Sequence, residues 1–123
     1  MKLLVLALLA GAATASAAST QPRSPAGGAC FFMRDIGNHT IADGKTMYLN
    51  VRGNQTYQVS MRSNCMGGAI STDPIILHNT TASMRICEPI DLDIGVRGGR
   101  CMVESLRKLS PAEAEAIPRR LRP

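Results

Sequence analysis

The chain has 123 residues, a formal net charge of +5 at pH 7, 2 phenylalanines, 2 tyrosines and no tryptophan. This length predicts one small domain. The shortage of aromatic rings argues against a face for single-stranded nucleic acid, because such faces stack bases on aromatic side chains. The modest positive charge permits weak attraction to an anionic polymer or membrane surface but does not require it.

The first 17 residues have the pattern of a secretory signal peptide. A basic start at Met1-Lys2 precedes an apolar run over Leu3–Ala13 and an A-x-A cleavage signal. We expect cleavage between Ala17 and Ala18, which leaves 123 − 17 = 106 residues. The apolar run is shorter than the roughly 20 residues of a bilayer-spanning helix. The sequence therefore predicts a periplasmic or secreted protein with no transmembrane segment after cleavage; a retained N-terminal anchor is the alternative.

Four cysteines lie in the part predicted to be exported: Cys30, Cys65, Cys87 and Cys101. An even number of cysteines in an oxidising compartment predicts two disulfides. A zinc site with four thiolates is the alternative, but its pair of C-x-x-C motifs is absent. Four cysteines allow three pairings. We expect Cys30–Cys101, which would tie the first strand to the last, and Cys65–Cys87, which would close the middle of the chain.

Short alternating segments follow a mature N-terminus (residues 18–29) that is rich in Pro, Gly and Ser and is predicted to be flexible. Cys30–Ile36 is predicted to be a strand, and Gly37–Lys45 carries turn residues at both ends. Residues alternate in polarity on both sides of Gly53-Asn54, a pair that tolerates the positive φ angles of a tight turn. This pattern predicts a hairpin over Thr46–Cys65.

The second half of the chain continues the pattern to the predicted end of the domain at residue 117. Strands are predicted at Ile75–His78, Ser83–Cys87, Ile90–Val96 and Cys101–Leu106, with a hairpin turn at Gly98-Gly99. The alternation places Ile90, Leu92, Ile94 and Val96 on one apolar face of their strand. About seven short strands predict a mostly β fold, a small antiparallel sandwich or barrel stapled by disulfides.

One short helix is predicted at the C-terminus. Ser110 is a good N-cap, Pro111 suits the first helical position, and Glu113 can complete a capping box. The helix should end before Pro118. Residues 118–123 form a basic tail.

Candidate chemistry is sparse. The only histidines are His39 and His78, and no nucleophile-elbow motif accompanies them, so the sequence predicts no catalytic residue. The Met61–Met66 region flanks Cys65 and offers soft ligands for cuprous copper. Core packing is the competing interpretation, because methionine fills irregular gaps in a core with few rings, and Met47, Met61, Met84 and Met102 sit in strand positions where such a core needs filler. We therefore predict no cofactor.

Two groups of charged residues and three glycosylation sequons are the remaining candidate sites. Asp91 and Asp93 share a strand face and could hold calcium, or simply face solvent. Basic residues cluster around Arg97–Lys108 and could meet an anionic partner, although charge runs mostly solubilise. Asn38, Asn54 and Asn79 begin glycosylation sequons that matter only if the host glycosylates, and turns favour the same residues.

Several of these features together resemble a family of small exported proteins of Gram-negative bacteria, known as a domain of unknown function. The resemblance rests on Cys30-Phe31, the hairpin ending at Cys65, Ile86-Cys87, Cys101-Met102-Val103 and Leu109–Glu113. It covers about Cys30 to Ile117. It implies a cell-envelope location and supplies no catalytic residue.

The sequence thus favours an exported, non-catalytic binding or structural module. Its partner would be an envelope protein or an anionic envelope component. A β scaffold displays its loops, so we expect the working surface at the turns Gly53-Asn54, Asn79-Thr80 and Gly98-Gly99. The alternative is a small metal-binding protein or hydrolase-type enzyme that uses His39, His78 or the Met61–Met66 region.

Overall fold

A computed structural model describes residues 30–97 and 99–123. In these ranges the chain forms eight strands and one α-helix, which confirms the mostly β fold class. The strands are β1 (Phe31–Phe32), β2 (Ile36–Ile41), β3 (Thr46–Val51), β4 (Gln55–Met61), β5 (Ile75–Asn79), β6 (Arg85–Ile86), β7 (Leu92–Val96) and β8 (Gly99–Lys108), and the helix is α1 (Pro111–Ala116). Short 3-10 turns occupy Met33–Asp35, Pro89–Asp91 and Arg119–Leu121. Within these ranges, no helix has the length and apolarity needed to cross a membrane.

Six strands form one antiparallel sheet in the order β2-β3-β4-β8-β7-β5. The sheet curves into a half-barrel, and its concave face holds the core. The long strand β8 belongs to both halves of the sheet, since it pairs with β4 along its second part and with β7 along its first. Strands β1 and β6 form a separate two-stranded ribbon.

The predicted central hairpin is present. Met47, Leu49 and Val51 alternate with polar residues along β3 and are buried, as are Tyr57, Val59 and Met61 of β4. Because Val51 is opposite Gln55, the turn contains three residues, and Gly53 and Asn54 have φ angles of 82° and 57°. The turn pair therefore adopts the left-handed conformation that its composition favours.

The second predicted hairpin is also present, but its turn is shifted. Val96 is opposite Gly99, so the two turn residues are Arg97, with a φ of 47°, and Gly98, which lies outside the described residues. Leu92 and Ile94 are buried on the core side of β7. Ile90 was expected on the same face; instead it belongs to a 3-10 turn that begins at Pro89, and it is exposed.

The ribbon β1–β6 connects the two edges of the main sheet. Strand β1 precedes edge strand β2, and β6 follows edge strand β5. The pairing of β1 with β6 therefore joins the two edges of the half-barrel. The ribbon also covers the core: Phe31 and Ile86 are buried, and the rings of Phe31 and Tyr57 lie 4.6 Å apart. At the opposite end of these two edge strands, the Ile41 amide donates to Ser71 Oγ, in the segment before β5, at 2.9 Å.

Both disulfides form, but the expected pairing was wrong. The bonds are Cys30–Cys87 and Cys65–Cys101, with Cα atoms 4.3 and 5.6 Å apart. The physical reason is the topology, because β1 pairs with β6, the neighbour of Cys87. Cys101 lies on β8 near the middle of the sheet, within reach of the chain that leaves β4.

Two further expectations were corrected. Gly37–Lys45 was expected to carry turns at both ends, but its first part, Gly37–Ile41, belongs to β2, which pairs with β3 across an irregular register after Ile36. Met47, Met61 and Met66 fill the core as expected, whereas Met84 and Met102 are more than half exposed. Alternation along a strand cannot show whether its apolar face meets the core.

The C-terminal helix is capped as predicted. Ser110 Oγ accepts from the Glu113 amide, and Glu113 Oε2 accepts from the Ser110 amide. The chain then returns over the convex face of the sheet, where Thr40 Oγ1 donates to the Leu121 carbonyl. The Arg122 side chain donates to the Ile117 carbonyl at 3.0 Å, so the end of the chain is fixed against both the sheet and the helix.

Removing either disulfide should destabilise the fold to a similar degree. The closed loops have sequence separations of 57 and 36. We expect Cys30→Ser/Cys87→Ser and Cys65→Ser/Cys101→Ser each to lower the free energy of unfolding by about 4 kcal/mol, from the chain entropy of the unfolded state. Denaturant unfolding measures this loss. Peptide mapping without reductant should recover the Cys30 peptide linked to the Cys87 peptide; a Cys30–Cys101 link would contradict the fold.

Alkaline pH should destabilise the protein through Tyr57. Burial raises the pKa of the Tyr57 phenol above its ordinary value of 10.0. The unfolded chain therefore loses this proton first, so the stabilisation is complete below about pH 10 and is lost as the pH rises through the folded-state pKa. Denaturant unfolding from about pH 9 to 11.5 should show a shallower decline for Tyr57→Phe than for the wild type. Equal slopes for the wild type and Tyr57→Phe would mean that the Tyr57 phenol has the same pKa in the folded and unfolded states.

Candidate functional site

One half of the convex face of the sheet is covered by the C-terminal segment. Thr40, Tyr48, Gln58 and Arg107 lie side by side on this half, on four neighbouring strands. Arg107 donates to Glu113 Oε1 at 2.6 Å and to Gln58 Oε1 at 3.1 Å, which fixes α1 over the strands. Only a small cleft of about 200 Å³ remains between the helix and the sheet.

The other half of the convex face is open. We call the convex side of β5, β7 and the first part of β8 the open face; its residues are Ile76, His78, Asp93, Gly95, Arg100 and Met102, which lie opposite one another in the register. Ile76 is 59% exposed and Met102 is 58% exposed. This half therefore presents large apolar side chains to solvent without cover from the described chain.

A groove of about 710 Å³ runs along the open face beside the 3-10 turn that precedes β7. Its apolar lining comes from Pro89, Ile90, Leu92, Met102 and Val103, and its remaining lining residues are Arg62, Thr80, Glu88, Asp93, Arg100 and Glu104. Ile90 projects beside it with 68% of its surface exposed. The groove thus has an apolar floor and a charged rim, which is the general composition of a protein-binding surface.

Asp91 does not line the groove but holds the turn that carries Glu88, Pro89 and Ile90, which do. Its Oδ2 accepts from the amides of Cys87 and Glu88, both at 2.9 Å, and Pro89 occupies the first position of the turn. Thr80 Oγ1 donates to the Ile90 carbonyl at 2.6 Å. These bonds hold the turn in a shape that directs Ile90 outward. Asp91 therefore has a structural role in the turn, and it does not share a strand face with Asp93 as the sequence suggested.

The rim is only partly neutralised. Asp93 and Arg100 form an ion pair, and hydrogen bonding to Asp93 raises the pKa of the Arg100 guanidinium. Among the described residues, Arg62, Glu88 and Glu104 have no ion-pair partner. No group of three or more His, Cys, Asp or Glu side chains in residues 30–97 and 99–123 is arranged to hold a metal ion.

The two histidines do not share a site. His78 is exposed on edge strand β5, opposite Asp93 in the register, and no hydrogen bond joins the two side chains. His39 lies on the other edge strand, β2, opposite the buried Leu49. Its Nε2 atom is buried and makes no hydrogen bond within the described chain. The two rings therefore lie on opposite edges and opposite faces of the sheet.

The methionines around Cys65 are not accessible as metal ligands. Met61 and Met66 are each only 1% exposed and belong to the core, and the Cys65 sulfur is bonded to Cys101. This supports the packing interpretation over the copper site. The methionine that does reach a surface site is Met102, which was assigned to the core from the sequence.

The three turns expected to form a working surface do not lie together. The Gly53-Asn54 turn lies near the C-terminal end of β8, since Tyr57 pairs with Lys108. The Arg97-Gly98 turn lies at the opposite end of β8. Only Thr80, from the third turn, lines the groove. The groove was missed because its exposed apolar residues, Ile90 and Met102, were both assigned to the buried side of strands.

Replacing the exposed apolar residues should leave stability almost unchanged. We expect Ile90→Ser and Met102→Gln each to change the free energy of unfolding by less than about 0.5 kcal/mol, because neither side chain is buried. Met47→Ala is the contrasting core variant and should cost about 2–5 kcal/mol. Denaturant unfolding of the three variants tests this. If Ile90→Ser or Met102→Gln lowered the free energy of unfolding as much as Met47→Ala, the groove would be part of the core.

Comparison with known proteins places the chain in a family without assigning a function. No curated protein and no solved structure matches it. The model of a family of unknown function, DUF6491, matches residues 1–122, nearly the full sequence. The chain therefore belongs to the DUF6491 family.

Proposed function

We propose that this protein is an exported, disulfide-stapled β module that binds another exported protein in the groove of the open face. The observation that carries the proposal is the exposure of Ile90 and Met102 in the lining of one groove of about 710 Å³. Contiguous exposed apolar surface with a polar rim is characteristic of interaction sites.

Export is supported by two independent features. The first 17 residues have the basic start, apolar run and A-x-A signal of a secretory signal peptide. All four cysteines form disulfides, which persist in oxidising compartments such as the periplasm. The resemblance to exported proteins of Gram-negative bacteria agrees with such a location.

The lining of the groove favours binding over catalysis. None of its lining residues is a His, Cys or Ser, and Asp93 is engaged by Arg100. Nucleophilic catalysis needs a nucleophile within reach of a base. Among the described lining residues, Thr80 has the only hydroxyl-bearing side chain, and its Oγ1 already donates to the Ile90 carbonyl.

The charges of the rim favour a protein over an anionic polymer. Glu88 and Glu104 outnumber Arg62, the one unpaired cation among the described residues of the rim, and Asp93 neutralises Arg100. A polyanion would meet like charge on this rim. A protein segment with an apolar side chain for the floor and a basic group for Glu88 or Glu104 would match both features.

Partner capture tests the groove. The mature protein, crosslinked in the exported fraction of its own host, should capture a defined partner. Ile90→Asp and Met102→Asp should each reduce capture at least about tenfold, because a charge enters an apolar contact. Ile70→Asp is the matched control: Ile70 is 59% exposed but does not line the groove. Capture that survives both groove variants, or is lost equally with Ile70→Asp, would refute the proposed site.

Export is tested by the intact mass of the protein recovered from outside the cytoplasm. We expect a chain that begins at Ala18 and weighs about four hydrogens less than the reduced form, two for each disulfide. Unfolding with reductant should restore those hydrogens. A chain that keeps residues 1–17, or that has four free thiols, would contradict the proposal.

A further inference from the structure

Strand β5 is the feature of the fold that the proposed groove does not explain. It is an edge strand, since its only strand partner in the described chain is β7. Its sequence, Ile75-Ile76-Leu77-His78-Asn79, contains no proline and no Lys, Arg, Asp or Glu. Natural edge strands are normally protected by such residues, by bulges or by shortness. Strand β5 has neither these protective residues nor a bulge, since its pairing with β7 is regular over five residues.

The hydrogen-bond pattern shows which backbone groups face the free edge. The Thr80 amide donates to the Asp91 carbonyl, so this opposed pair is hydrogen-bonded. In an antiparallel ladder such pairs recur at every second residue. Ile76 and His78 therefore direct their N–H and C=O groups towards β7. Ile75, Leu77 and Asn79 direct theirs towards the open edge.

The side chains of β5 are also incompletely covered. Ile75 and Leu77 face the core but are only partly buried, whereas Leu92, Ile94 and Val96 on neighbouring β7 are fully buried. Ile76, on the opposite side, is 59% exposed. The strand thus offers both unpaired backbone groups and apolar surface, which are the two requirements for strand addition.

We propose that β5 pairs antiparallel with β5 of a second copy of this chain, so that two six-stranded sheets join across a two-fold axis. The strand is self-complementary. With Leu77 opposite Leu77 of the second copy, Ile75 is opposite Asn79, and the three outward-facing residues of each copy form about six backbone hydrogen bonds.

The side chains fit the same alignment. On the core side, the two copies of Leu77 cover each other. On the convex side, Ile76 is opposite His78 of the second copy, so no like charges are directly opposed. The pairing is independent of the proposed function, since Ile90 and Met102 do not belong to β5 and the groove stays accessible in the dimer.

The mass of the oxidised mature protein in solution, measured over a concentration series, tests the proposal. The wild type should be a dimer that dissociates on dilution. Ile76→Lys/His78→Lys places lysine opposite lysine twice across the axis, and Ile76→Glu/His78→Lys places glutamate opposite lysine at the same positions. Because directly opposed like charges destabilise a strand pair, the dissociation constant of the Lys/Lys variant should exceed that of the Glu/Lys variant by about tenfold or more.

Both variants change only convex-side residues of β5, so both should fold, and retention of the two disulfides and of the unfolding midpoint checks this. A monomeric wild type would overturn the proposal, as would equal dissociation constants for the two variants. A dimer broken by Met102→Asp but not by Ile76→Lys/His78→Lys would place the contact in the groove and also overturn it. Partner capture through Ile90 and Met102 is measured separately, so either idea can fail alone.

Discussion

The fold depends on how the two edges of one curved sheet are held together. Six strands in the order β2-β3-β4-β8-β7-β5 leave β2 and β5 at opposite ends. The short strands β1 and β6 pair with each other, and Cys30–Cys87 joins the residues on either side of them. Two residues per strand provide too few hydrogen bonds to be stable alone. The covalent bond and the contact of Phe31 with Tyr57 therefore secure the closure.

A β-bulge in β8 separates the two halves of the convex face. Ser60 is opposite Ser105 and Met61 is opposite Val103, so one extra residue, Glu104, lies on the β8 side. The extra residue changes which residues of β8 face the core. Before it, Met102 points to the convex side; after it, Arg107 does. The first group belongs to the open face, and the second holds the C-terminal helix in place through Glu113.

This division explains why the exposed apolar residues concentrate on one half. The C-terminal segment covers the convex side of β2, β3 and β4 and ends with the Thr40–Leu121 contact. No described segment covers the convex side of β5 and β7, where Ile76 and Met102 remain exposed. A small domain has few residues with which to cover a sheet on both faces. Apolar surface left in this position is consistent with cover supplied by other proteins.

Much of the local structure follows from short-range chemistry in the sequence. The alternation in β3 and β4, the Gly53-Asn54 turn and the Ser110–Glu113 capping box were all predicted, because each depends on neighbours within a few residues. The presence of two disulfides was predicted from the even number of cysteines together with the predicted signal peptide. The resemblance to a family also rests on short motifs that can be identified directly in the sequence.

Only the tertiary structure decided the disulfide pairing, the bulge at Glu104 and the place of the groove. The pairing depends on β1 meeting β6, a contact between segments more than 50 residues apart that no local pattern encodes. Ile90 and Met102 could not be identified as surface residues, because periodicity shows which residues share a face but not what covers that face. That cover comes from distant parts of the chain, and here it reaches one half of the sheet and leaves the other open.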